Sequence, residues 1–78
     1  MKTIKDIELA FQEGTSDKIY NAQIIQNDDG CVVNFQFGRR GGSLKEGTKT
    51  PQPVELNQAI EIFTDLVASK TKKGYQVV

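Results

Sequence analysis

Asn27-Asp28-Asp29-Gly30 lies between two stretches in which apolar and polar residues alternate, and no other feature limits the fold as sharply. Asn and Asp side chains accept backbone N–H groups two residues on, and Gly takes positive φ without steric penalty, so this tetrapeptide closes a tight hairpin. Before it, in residues 18–26, Tyr20, Ala22 and Ile24 share a face. After it, in residues 31–37, Cys31, Val33, Phe35 and Phe37 alternate with Val32, Asn34 and Gln36. Period two with β-branched and aromatic residues predicts two antiparallel strands with one covered face. Ile19 and Ile25 fall on the other face, so the first strand is expected to be covered on both sides or to carry a bulge.

The same reading extends outward. In residues 4–11, Ile7, Leu9 and Phe11 alternate with Asp6 and Glu8, a further strand, and residues 13–17 supply a turn. After residue 37 the alternation stops at Gly38-Arg39-Arg40-Gly41-Gly42-Ser43, a glycine-flanked strand end or turn. Residues 44–50 follow as a strand with Gly47 as a bulge or crossing point, bounded by Pro51 and Pro53. From residue 55 to 73 the period becomes helical: Leu56, Ala59, Ile60, Phe63, Leu66 and Val67 recur at spacings of three and four. Glu55, Glu61 and Asp65 toward the beginning and middle and Lys70, Lys72 and Lys73 near the end are expected to complement the helix dipole, and Gly74 caps the end. Residues 75–78 return to the sheet. The expected architecture is α+β: four or five mostly antiparallel strands with one C-terminal helix packed on them, in a single domain over residues 1–78.

Composition removes whole classes of chemistry. The 78 residues include no histidine and one cysteine, so Ser–His and Cys–His nucleophilic machinery is impossible, and so is an internal disulfide. A zinc site would have carboxylates and one thiolate to work with; Asp28 and Asp29 belong to the hairpin turn, and Cys31 is in apolar phase, a buried thiol. No pair of acids or lysines has a spacing that marks a general acid and base. Catalysis, a metal and a cofactor are therefore not expected. Asp6 and Glu8 follow the first lysines where a signal peptide would be apolar, and no stretch is long enough to cross a bilayer; the expectation is a cytoplasmic protein without membrane contact.

Ten Lys and Arg balance ten Asp and Glu, so the total charge announces no polyanion binder, but its distribution does. Residues 37–49 hold Arg39, Arg40, Lys45 and Lys49 against one acid, Glu46, and Lys70, Lys72 and Lys73 end the helix. Brought to one face, with the acids on the other, these cations form a phosphate-binding surface. Adjacent arginines on a strand point oppositely, so Arg39 and Arg40 are expected to do different jobs, one on a nucleic-acid backbone and one on a neighbouring backbone, carboxylate or protein partner. Phe37 shares the core phase of Val33 and Phe35, yet at the rim its ring is available to stack on a terminal base or sugar; Tyr20 admits the same two readings, and Tyr75 is read as mainly structural. The glycine spacing does not build a P-loop.

These residues resemble a WGR domain, the module named for a Trp-Gly-Arg motif and found in DNA-dependent poly(ADP-ribose) polymerases, in molybdate metabolism regulator-like proteins and in small bacterial proteins. The resemblance rests on Phe37-Gly38-Arg39-Arg40-Gly41, on Val33-Asn34-Phe35-Gln36, and on Ala59, Phe63, Lys70 and Gly74-Tyr75. It implies an antiparallel sheet with a single helix, contact with DNA ends or nicks, and relay of that contact to neighbouring domains. The family tryptophan, which packs on a terminal nucleotide sugar, falls on Phe37, which keeps a ring without the indole donor. The glycine falls on Gly38 and the arginine on Arg39, while Arg40 stands where many polymerase examples are apolar. The polymerase machinery is absent, so no ADP-ribosyl transfer is implied. The function expected is a non-catalytic nucleic-acid-binding module using Phe37, Arg39, Arg40, Lys45, Lys49, Lys70, Lys72 and Lys73, with Gly38, Gly41 and Gly42 shaping the bend. The alternative is a regulatory protein-interaction module that engages an acidic partner.

Overall fold

The alternating stretches form a meander. The computed structural model describes residues 1–78, with β1 (Lys2–Glu13), β2 (Ser16–Asn27), β3 (Gly30–Arg39), β4 (Lys45–Thr48), α1 (Leu56–Lys72) and β5 (Gln76–Val77). Neighbours in the sheet run β4-β3-β2-β1-β5, and each pairing is antiparallel. At the β2–β3 turn Asp29 N–H donates to Asn27 Oδ1 at 2.9 Å, the side-chain turn bond expected there.

Leu9, Ala22, Ile24, Cys31 and Val33 project from three strands into the core, where Ala59, Phe63 and Leu66 of α1 close over them. Thr50 is the one buried polar residue; its hydroxyl accepts the Val33 N–H at 3.0 Å just past β4. Leucine, isoleucine and valine on the sheet need an apolar lid, and the small Ala59 lets the helix approach closely. The helix ends in a Schellman motif: Tyr75 N–H donates to Lys70 O and Gly74 N–H to Thr71 O, with Gly74 at φ 106°. That reversal sends β5 to the far edge of β1, where Leu9 pairs with Val77.

Three expectations are corrected. β2 pairs without interruption with β1 and β3, and the irregularity lies in β1, between Thr3 and Lys5. Ile19 and Ile25 are half-buried on the uncovered face, shielded by cross-strand neighbours such as Ala10 and Val32 rather than by a second layer. Gly47 makes no bulge; it pairs regularly with Phe35, whose ring occupies the space a Cβ at Gly47 would need. On the helix, Leu56 and Ile60 are exposed and Ile62 packs on the core instead, because α1 lies over β2 and β3 and turns its Ala59–Ile62–Phe63–Leu66 surface to them.

A chain of this mass is expected to expose about 4,700 Å² when folded. This one exposes 5411 Å² and measures 43 × 24 × 19 Å, because one whole face of the sheet has no lid.

Candidate nucleic-acid interface

β3 carries Phe37, Gly38 and Arg39 to one end of the sheet. Regular pairing sets Phe37 between Tyr20 and Lys45 and sets Arg39 opposite Lys18. Strand alternation therefore places Phe35, Phe37, Arg39, Lys18, Tyr20 and Lys45 on the helix-covered face. Tyr20 is buried in the core and Phe35 packs against it, whereas Phe37 and Arg39, farther along β3, are exposed; Leu66 is the last buried residue of α1.

This end of the sheet is an aromatic platform. Tyr20 stacks on Phe35 and on Phe37 at centroid distances of 5.6 and 6.1 Å, and Tyr75 meets Tyr20 edge-on at 6.2 Å. Phe37 keeps 38% of its surface exposed although it is in core phase, since it lies farther along β3 than the core residues Cys31 and Val33. Beside it a cavity of about 520 Å³ opens, lined by Ser16, Asp17, Lys18, Phe37, Arg39 and Tyr75 among others; Asp17, its one acid, turns its carboxylate to Arg40.

Cations ring the platform. The sheet-facing stripe of α1 continues past Leu66 as Lys70 and Lys73, and Lys70 Nζ sits 4.5 Å above the Tyr20 ring. Lys49 Nζ lies 5.5 Å above Phe35. Burial, then the charges of Lys73 and Lys49, hold the Lys70 amine below its usual value. Ammonium groups crowded in this way, two of them over aromatic faces, are stabilised by an arriving anion. Burial and the neighbouring Tyr75 push the Tyr20 phenol up, so that ring stays neutral.

The two arginines part company at the turn. Gly42 N–H donates to Arg39 O at 2.9 Å, and Gly41 adopts φ 80° at the third position of this turn, where glycine is favoured. Gly38 permits the return of the chain, since a Cβ there would lie 2.9 Å from Ser43 O. Arg40 turns to the uncovered face and is held twice by Asp17: its N–H donates to the Asp17 carbonyl and its Nε to the carboxylate, both at 2.9 Å. That is the one ion pair in the molecule. Arg39 carries no carboxylate partner.

Residues 5–78 match the family model of the WGR domain. The chain belongs to the WGR domain family. Comparison with curated proteins and with solved structures finds no match in either. In this WGR domain Phe37 and Arg39 stand together beside the cavity.

Of the predicted cations, Arg39, Lys45, Lys49, Lys70 and Lys73 belong to the platform end of the covered face. Arg40 does not, and Lys72 sits roughly 200° round the helix from Lys70. Lys18 and Tyr75, which line the cavity of the WGR domain, were not counted as contacts in the sequence. The signal for Lys18 was present: counting nine residues outward from Asn27 and Gly30 in a regular hairpin reaches Lys18 and Arg39.

Proposed function

We propose that this WGR domain is a non-catalytic module that binds the nucleic-acid backbone at strand ends or nicks, with Arg39 as the principal phosphate contact. Lys18, Lys45, Lys49, Lys70 and Lys73 extend the positive surface, and Phe37 offers its exposed ring to a terminal base or sugar. The observation that carries this reading is the exposure of Arg39 and Phe37 side by side, with no carboxylate bound to the arginine. Arginine's planar fork makes paired bonds to phosphate oxygens, and a base stacked on an aromatic ring contributes about 1–3 kcal/mol.

Fluorescence anisotropy with blunt, nicked and intact duplexes over a range of salt tests it. Affinity is expected to fall steeply with salt, with blunt and nicked duplexes preferred. Absence of binding at low salt, or binding indifferent to Arg39→Ala combined with Arg40→Ala, overturns the proposal. A flat duplex titration together with stoichiometric capture of an acidic protein selects the protein-interaction reading instead.

A further inference from the structure

The face of the sheet without a lid has its own chemistry. Two rows of side chains cross it from strand to strand. One runs Glu8–Asn21–Gln36–Glu46 over β1, β2, β3 and β4, and the other runs Asp6–Gln23–Asn34–Thr48. Each row spans about 14 Å at the usual strand separation. Carboxylates stand at three of the four row ends, Thr48 at the fourth, and carboxamides lie between them. Asp17 is also on this face, and the only cation there, Arg40, is already bound to it.

This surface is rich in acceptors. Gln36 Nε2 donates to Glu46 Oε1 at 2.8 Å, and Asn21 Oδ1, between Glu8 and Gln36, is buried and has no hydrogen-bond partner. Two adjoining grooves run along the rows and share Gln23 and Gln36. Carboxylate and amide oxygens in this array match a group that has donors and no acceptors, as guanidinium and ammonium have. A polyanion is repelled by the same surface, and an apolar partner would strip water from four amides and three carboxylates without replacing their hydrogen bonds.

We infer that the uncovered sheet face is a docking surface for a basic, arginine- or lysine-rich polypeptide segment, which lies over the two rows and places its cations on Asp6, Glu8 and Glu46. The domain then has two independent binding faces of opposite sign, and a basic segment of a neighbouring protein or domain is held on the side away from the platform.

The test is an NMR titration of the full chain with a nine-residue peptide of alternating Arg and Gly, with its Glu–Gly counterpart, and separately with a blunt duplex. The Arg–Gly peptide is expected to move the side-chain amide signals of Asn21, Gln23, Asn34 and Gln36, and the Glu–Gly peptide to leave them in place. Asp6→Asn combined with Glu8→Gln is expected to weaken peptide binding about fivefold or more, since two exposed charge contacts are lost. Both positions are exposed, so the fold and the duplex affinity stay as they were. Glu61→Gln with Asp65→Asn on the helix is expected to change nothing. Peptide-induced shifts centred on Glu55, Glu61 and Asp65, or full binding by the Asp6/Glu8 variant, overturn the inference. Shifts on these amides that grow with protein concentration in the absence of peptide overturn it in favour of a second copy of the chain as the occupant. The duplex arm is read separately, so failure of one face does not mimic failure of the other.

Discussion

The covered and uncovered faces of this sheet are made from the same strands, one residue out of phase, yet they differ in almost every physical respect. The covered face holds the core and ends in rings and lysines; the middle of the uncovered face holds rows of amides and acids, with Ile19 and Ile25 beyond them. A polar array satisfied by water needs no lid, whereas an apolar one requires it, and where the lid runs out the exposed rings are bordered by cations. The difference teaches that a net charge of zero conceals local surfaces of opposite sign.

The contrast breaks most completely if the lid is removed. Phe63→Ala is expected to destabilise the domain by about 3–5 kcal/mol, enough to leave much of a chain this small unfolded, as urea denaturation would show. Gly47→Ala drives a methyl group into the Phe35 ring and tilts the platform; about 1–3 kcal/mol of stability is expected to be lost, with altered ring signals of Phe35 and Phe37 by NMR. The two arginines sharpen the comparison. Arg39→Ala is expected to lower the salt dependence of duplex binding by about one phosphate contact and to leave stability within about 0.5 kcal/mol of the parent. Arg40→Ala is expected to reverse that pattern: it breaks the surface pair with Asp17, loses less than about 1 kcal/mol in thermal melts, and leaves the salt slope intact.

The smallest effect expected is on pH dependence. The free-state value of Lys70 lies below the usual 10.5, and a bound anion raises it, so binding takes up protons in alkaline solution. Duplex affinity is therefore expected to decline as pH rises through the lowered value, and Lys70→Gln to flatten that decline in anisotropy titrations. The sign for folding is opposite. The unfolded chain holds the Lys70 proton more tightly, so this group's penalty on stability is present at neutral pH and is relieved as pH rises from the lowered value toward 10.5.

The strands, the β2–β3 turn, the helix and its glycine-bounded end were legible because each depends on neighbours in the chain: period two, period 3.6, the Asx turn and the Schellman reversal are local matters. The register of Lys18 with Arg39 was legible in the same way. The rotation of the helix was not. Its stripe was broad enough to permit two orientations, and contact with β2 and β3 selected Ile62 over Leu56 and Ile60. The different surroundings of Arg39 and Arg40 were half legible: alternation sent them to opposite faces and the hairpin count sets Asp17 beside Arg40, but only the folded chain shows the Arg40 side chain closing on the Asp17 carboxylate.

By itself, then, the sequence determined four or five mostly antiparallel strands with a late helix and a cluster of cations beside a glycine-bent strand end, since these follow from short-range periodicity and composition. The tertiary structure alone decided which cations share a surface, that Phe37 lies exposed beyond the core, and that amides and carboxylates align across four strands. Each of these depends on the register and crossing of distant segments. Packing free energy summed over the whole chain settles them, and no local window of residues contains it.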